Sequence, residues 1–437
     1  MDRRAGRRGR AGGRRRGGRP RHRRRPLNGL PRGFGRFWTA MAATSFGTYV
    51  TSLALGVLVE QTLGGTSLDL GWANAARWAP YLAVGLFAGV VADRVRRRPL
   101  LAGTEFGRAA ALALFPLLAA TGLLSLGTVV AVLLLYGTLS VLGDAAEQSF
   151  LPRLVPAPAL NLANVRLQQA DAAAQGSGPL LAGGAVGLVG APLTFLVDGV
   201  LHLVAGVLVA RTRVHDPRPE PAPRRTVLRD LREGVRWVYR HPTLRPLALS
   251  THAWFLCNAA ISTVTVTYVL TVLDLGATGL GVVGAAAGVG ALTGTSLAVR
   301  AGRWVGDAGT VVGGRLVEAA GAAALVGLPL LGAPLAAAAV GQFVLGLGMG
   351  LESPFELSHR QAVTPDRLQG RTNATMRSLN RAVIVVGAPA GGALALVTSP
   401  RATLLLAAAG IAVGAVALAL SGFRHAGSPR ERNRTDT

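Results

Sequence analysis

Long apolar stretches alternate with short polar breaks from Phe37 to Phe423. By hydropathy they place spans at 37–60, 70–92, 99–121, 126–149, 163–189, 192–211, 246–270, 278–299, 311–331, 335–357, 373–396 and 401–423. A helix crossing the hydrocarbon of a bilayer needs ~20 mostly apolar residues. Backbone polar groups there must be satisfied within the segment, which selects helices. The pattern predicts an all-α membrane protein of twelve transmembrane helices.

One break differs. It holds PRPEPAPRR, a Pro-rich linker, then TVLRDLREGVRWVYRHP, where Val227, Leu231, Val235 and Val238 recur at helical spacing. Arg229, Arg232, Arg236 and Arg240 take the other faces, which predicts an amphipathic helix along the membrane surface. The chain thus divides into a tail (1–33), a six-helix bundle (34–211), a linker (212–245), a second six-helix bundle (246–423) and a C-terminal tail (424–437). The bundles look related. A shift of 209 residues aligns Glu147 with Glu356, Ser149 with Ser358, Pro156 with Pro365, Asn164 with Asn373, Gly178 with Gly387 and Gly183 with Gly392. Two pseudo-symmetric halves around a midplane cavity are a transporter architecture.

Composition sharpens this. Half the residues are hydrophobic and 58 are Gly, a pairing suited to closely packed membrane helices. The 46 basic residues are all Arg, which points to a compositional bias. Their placement is still informative. They cluster in the N-terminal tail, at 94–98, at Arg153, from Arg211 to Arg245, at Arg300 and Arg303, from Arg360 to Arg371 and in the C-terminal tail, whereas the opposite loops carry essentially Arg401. By the positive-inside bias both termini are cytoplasmic, in a multi-pass protein of the cell (inner) membrane. The net charge of +25 is then mainly topological. The Arg/Gly-rich tail, with no apolar periodicity and no interleaved aromatics, reads as a disordered segment and not as a nucleic-acid binder. No signal-peptide cleavage pattern follows the first apolar run. Cys257 stands alone, so no internal disulfide forms, and no metal-ligand spacing occurs.

Buried charge costs ~2.5–3.5 kcal/mol at a helix centre, so polar groups there face a cavity or a partner. Ser45, Thr48 and Ser52 share a face of the first span; Tyr136, Ser140, Asp144 and Glu147 share one on the fourth. Trp254, Asn258, Ser262 and Thr265 do so on the seventh, and Glu352, Glu356 and His359 on the tenth. The fifth carries Asn164, Gln168, Asp171, Gln175 and Gly178, and the eleventh answers with Asn373, Arg377, Asn380 and Gly387. Glu105 with Arg108, and Arg315 with Glu318, are spaced to neutralise each other within a helix. Asp198 reads as a helix–helix hydrogen bond, and His202 and His252 as isolated packing residues.

The hairpin GVVADRVRRRPLL resembles the loop motif of the major facilitator superfamily, with Gly89, Asp93, Arg94, Arg97 and Arg98 matching and Arg96 replacing a usual Gly. A degraded copy, VRAGRW, keeps Arg300, Gly302 and Arg303 but has Val299 in the Asp place. GSGPLLAGG, holding Gly176, Gly178, Pro179, Gly183 and Gly184, is similar to the Gly-Pro motif of proton-antiporting members. LPRLVPAPALNLANVRLQ, LREGVRWVYRHPTLR and VTPDRLQGRTNA resemble the macrolide-efflux and enterobactin-exporter branch.

The resemblance implies the major facilitator fold, with helices 1, 4, 7 and 10 lining the cavity. It implies that Asp93 latches the cytoplasmic end of helix 11, near Thr372, with Glu147 accepting from Arg94 or Arg97. Gly284, Gly288 and Gly294 would face the Gly-Pro motif. The expected activity is export of a small amphiphilic molecule (drug, antibiotic or other secondary metabolite) by proton antiport, without a cofactor and as a monomer in the lipid bilayer. Asp144 and Asp171 fit proton coupling best, with Glu356 and Glu318 as further candidates. A siderophore exporter or nutrient importer of this fold is the alternative; a sensor would carry a soluble domain. An enzyme would need a catalytic triad, metal site or phosphate loop, none of which is found in the sequence.

Overall fold

The computed structural model describes residues 30–85, 88, 91, 94–214 and 227–425, and these are helical with short turns. Most of the predicted 1–33 tail, the Pro-rich linker, Gly89 and Asp93 lie outside the described residues. We number the spanning helices in chain order. The first half holds α1 (Arg32–Val57), α2 (Ser67–Ala83), α3 (Arg97–Ala120), α4 (Leu126–Leu154), α5 (Leu160–Val189) and α6 (Ala191–Ala210). The linker helix (Val227–Arg240) leads into α7 (Leu244–Thr267), α8 (276–305), α9 (307–327), α10 (Pro334–Ala362), α11 (Asp366–Val397) and α12 (Pro400–Leu420). Among the described residues nine stretches are long and apolar enough to cross a membrane, and one of them, Gly276–Leu331, holds both α8 and α9.

The start of α1 packs near Leu154 and Arg213, and the turn after α12 packs near Pro242 and His359; this side is here called the terminal side and the other the distal side. Distal turns are short and capped. Thr66 and Asp69 form a reciprocal capping box before α2, Ser125 and Thr128 another before α4, and Ser399 Oγ accepts from the Ala402 N–H before α12. On the terminal side several helices overrun their apolar spans. α4 continues to Leu154, α10 to Ala362, and α11 starts at Asp366 instead of 373. Hydropathy marks the hydrocarbon slab, whereas hydrogen-bonded helix continues into the interface. The loop expected between the eighth and ninth spans shrinks to a corner at Gly306, whose φ of 74° suits a residue without Cβ.

The two halves repeat each other. α1 and α7 both end in a π-helical turn, at Leu58–Thr62 and Tyr268–Val272. Gly178 of α5 packs on Tyr49 of α1, and its counterpart Gly387 of α11 packs on Leu256 and Ala259 of α7. Gly183 faces α8 of the other half at Ala277 and Gly281, and its counterpart Gly392 faces α2 at Ser67 and Leu68. Equivalent glycines thus do equivalent work in both halves.

The linker helix does not lie free along the surface. Val238 is buried with Ala248 and Met376, and Glu233 pairs with Arg371 and, at 3.6 Å, with Arg367. It docks on the terminal ends of α7 and α11.

Candidate functional site

The halves meet on the distal side. A Cβ on Gly281 would lie 2.6 Å from Pro179 O, and one on Gly183 would lie 2.7 Å from Ala277 O, so only small residues let α5 and α8 touch. Gly284 and Gly288 also face the Gly-Pro motif as expected, but Gly294 packs on Leu347 and Leu351 of α10. α2 and α11 form the matching seam, with Gly71 against Pro389 and Ser67 Oγ donating to Gly392 O at 3.0 Å. Thr267 of α7 donates to Glu60 of α1, and Asn74 Nδ2 donates to Thr263 Oγ1 at 3.4 Å. Thr265 sits buried in this closed region, so the cavity-lining role expected for it does not hold in this conformation.

Toward the terminal side lies a cavity of about 420 Å³ between α2, α4 and α11, lined by Tyr81, Asp144, Gln148, Asn373, Arg377 and Arg381 among others. Asp144 Oδ2 accepts from Tyr81 Oη at 2.7 Å. Arg381 lies over the Trp78 ring, 3.9 Å from its centroid, and so joins α11 to α2 across the halves. A second cavity of about 440 Å³ shares Asn373 and Arg377 and is lined by Trp254, Phe255, Glu352, Glu356 and Asn380. His252 Nδ1 donates to Asn380 Oδ1, which can only accept, so its Nε2 accepts from Tyr239 Oη, each at 2.7 Å. Burial raises the Tyr239 hydroxyl above its ordinary pKa, which keeps that donor protonated.

Behind the second cavity is an acidic cluster around one guanidinium. Arg315 Nε donates to Glu352 Oε2 at 2.6 Å and Nη2 to Glu356 Oε2 at 3.3 Å; Nη1 also donates to Ser250 Oγ and Nη2 to Thr251 Oγ1. Arg360 Nη1 also reaches Glu356, at 3.7 Å. The expected pairing of Arg315 with Glu318 is therefore not made, because carboxylates on α10 compete for the guanidinium. Glu318 is fully buried, accepts from Trp254 Nε1 through Oε2, and has no partner at Oε1.

The first half holds a different knot. Arg108 pairs with Glu105 as expected. His202 is not isolated: its Nδ1 donates to Glu105 Oε2 at 2.6 Å, and its Nε2 lies 3.3 Å from Tyr136 Oη and 3.4 Å from Asp198 Oδ1. Asp198 Oδ2 accepts from Thr51 Oγ1 at 2.5 Å and so ties α6 to α1. Tyr136 is buried in this knot and does not line the cavity.

The other candidates divide. Ser45 and Thr48 are half-buried, Ser52 and Ser262 exposed. Thr48 donates to Thr44 O, Ser140 to Tyr136 O, and Ser262 to Asn258 O, so each hydroxyl has a partner on its own helix. Ser52 Oγ also accepts from Arg77 Nη1 at 2.7 Å. Asp171 is exposed on α5, and among the described residues it makes no hydrogen bond or ion pair. Glu147 contacts neither Arg94 nor Arg97; its charged neighbours are Asp144, Arg108, Glu105 and Asp171 inside the bundle. Arg98 Nη1 donates to Thr212 O at 3.3 Å, Arg97 is buried and Arg94 exposed. Sequence reasoning missed Arg77, Arg381 and the His202 knot. Arg381 follows Arg377 by one turn, a signal blunted by the abundance of Arg. Among the described residues no group of three His, Cys, Asp or Glu side chains could hold a metal.

Residues 37–379 match the family profile described as Major Facilitator Superfamily. An uncharacterized MFS-type transporter, y4rN, of Sinorhizobium fredii (strain NBRC 101917 / NGR234) is 32% identical over 233 residues, covering 51% of this chain and 56% of that protein. This match thus spans little more than half of the relative's length. Among solved structures, a bacterial homolog of the human lysosomal transporter Spinster, inward-facing and occupied, superposes with a TM-score of 0.71 at 12% identity, over 92% of this chain and 100% of that one. The xylose transporter XylE from E. coli, inward open, gives 0.67 at 14% identity, over 89% and 96%. A bacterial homologue of the iron transporter ferroportin gives 0.66 at 16%, over 89% and 98%. At these identities the likeness is one of fold.

Proposed function

This chain belongs to the major facilitator superfamily, a family of multi-pass membrane transporters and not of enzymes, and from that premise we propose that it exports a small amphiphilic organic molecule in exchange for protons. The two halves rock about the cavity, which opens alternately to the terminal and distal sides. The placement of Arg supports a cytoplasmic terminal side, in a protein of the cell (inner) membrane.

The observation that carries proton coupling is Glu318. Its cluster holds three carboxylates, Glu318, Glu352 and Glu356, and two guanidiniums, Arg315 and Arg360. Both guanidiniums are engaged by Glu352 and Glu356. Glu318 is the surplus acid, buried, with one oxygen unpartnered. A buried carboxylate without a counter-ion is costly, and a proton removes that cost. Trp254 lines the cavity and also holds Glu318, so occupancy of the cavity reaches the proton site through one side chain. Asp144 and Asp171 remain second-rank carriers: Asp144 is held by Tyr81, and Asp171 stands exposed.

The test uses inside-out vesicles with an imposed pH gradient and a fluorescent amphiphile as cargo. Accumulation is expected to collapse with the gradient and to fail in Glu318→Gln while equilibrium exchange of cargo continues. Accumulation indifferent to gradient collapse rules proton antiport out.

A further inference from the structure

We infer that the cavity between α2, α4 and α11 selects organic anions, with Arg377 and Arg381 clamping a carboxylate, phosphate or sulfonate of the cargo. The inference rests on the transport reading and adds a substrate class to it. Arg377 and Arg381 lie one turn apart on α11 and both line the cavity. Arg377 is exposed, and among the described residues it has no hydrogen bond or ion pair. Tyr81, Asp144, Arg377 and Arg77 all lie close enough to act on Arg381, so three guanidiniums share this region with the Asp144 carboxylate.

Asp144, which also accepts from Tyr81 Oη at 2.7 Å, offsets one of these charges and leaves the others in excess. The acids on the neighbouring cavity wall are spoken for as well. Glu352 is held by Arg315 at 2.6 Å, and Glu356 lies between Arg315 at 3.3 Å and Arg360 at 3.7 Å. The clamp region therefore carries excess positive charge, which attracts an anion and offers it charge-assisted hydrogen bonds. A guanidinium presents paired N–H groups to an oxyanion, which suits all three acid groups named.

The shape fits a two-part cargo. The Arg381 guanidinium lies over Trp78, 3.9 Å from the ring centroid, which holds one end of the clamp in place. Arg377 faces both cavities, and the second offers Trp254 and Phe255, whose rings stand 4.8 Å apart in a T arrangement. An anionic head on the clamp would leave an aromatic or apolar body against those rings. The repeat supports a dedicated device. The counterparts of Arg377 and Arg381 by the 209-residue shift are Gln168 and Ala172, so only one half carries the clamp.

The test measures ligand-induced thermal stabilisation of the purified full chain in detergent, since a ligand that binds the folded state raises its melting temperature. The probes are 2-naphthoate, 2-naphthyl phosphate, naphthalene-2-sulfonate and the uncharged 2-naphthamide. At least one anion is expected to raise the melting temperature with the neutral amide inert. Arg377→Gln is expected to keep the ligand-free melting temperature and to weaken anion binding at least about tenfold, with Arg377→Lys recovering part of it. Equal stabilisation by the amide, an unchanged anion response in Arg377→Gln, or no response to any anion overturns the clamp. Binding is read here without a gradient. Loss of gradient-driven transport with intact anion preference counts against proton antiport alone, and the reverse result counts against the clamp alone.

Discussion

Arg315 Nε stands 2.6 Å from Glu352 Oε2, linking α9 to α10 inside the apolar second half. Both side chains are buried, at 1% and 4% exposure, so neither charge can fall back on water. Breaking such a pair from one side strands a charge and costs about 3–5 kcal/mol. Arg315→Met is therefore expected to lower the melting temperature of the purified protein sharply. Adding Glu352→Gln to Arg315→Met should return part of the loss, because the stranded charge is gone. A double variant no more stable than Arg315→Met would show that the ion pair is not the source of the effect.

That pair also shows where sequence reading stops. The twelve helical spans were legible, since each depends on local hydropathy. Gly284 and Gly288 meet α5, the contact that the resemblance implied. Partner choice between helices was not legible. Arg315 and Glu318 are three apart on one helix, yet the guanidinium goes to α10, where two carboxylates offer better geometry. His202 looked isolated for the same reason: Glu105 lies 97 residues away, and no periodicity links them. Tyr136 shares a helical face with Asp144, but α4 is buried along part of that face, so a shared face did not mean a shared cavity.

The α5–α8 seam predicts a conformational effect. A Cβ on Gly281 would come within 2.6 Å of Pro179 O, a backbone atom that cannot swing aside. Gly281→Val should hold the distal side ajar. In a Cys257→Ala background, a single cysteine placed at Thr267, half-buried on α7 beside Glu60 on the distal side, should label from the distal side several-fold faster in Gly281→Val than without it. Equal labelling rates would mean that the seam does not control distal access.

The His202 knot is expected to be structural. Its side chain is fully buried, and it satisfies Glu105 at 2.6 Å. His202→Ala leaves buried oxygens on Glu105 and Tyr136 without their partner, at about 1–3 kcal/mol or more. Melting should fall accordingly, while transport per folded molecule stays near the unsubstituted rate. A stable variant that has lost its pH-gradient response would move His202 from scaffold to coupling.

Trp254 offers the sharpest separation of binding from coupling. Its ring lines the cavity, and its Nε1–H is donated to Glu318 Oε2. Trp254→Phe keeps an aromatic wall and deletes that donor. With Oε1 already unpartnered, Glu318 then has no hydrogen bond from the protein. The charged form loses its one stabilising donor, so its proton is held more tightly and released at higher pH. Cargo affinity is expected to change modestly, since Phe keeps an aromatic face although it is smaller than Trp, whereas the pH at which gradient-driven transport is half-maximal should move upward. Transport measured against pH in reconstituted vesicles checks the sign. A downward shift, or none, would separate Trp254 from the proton site and leave it a wall of the cavity only.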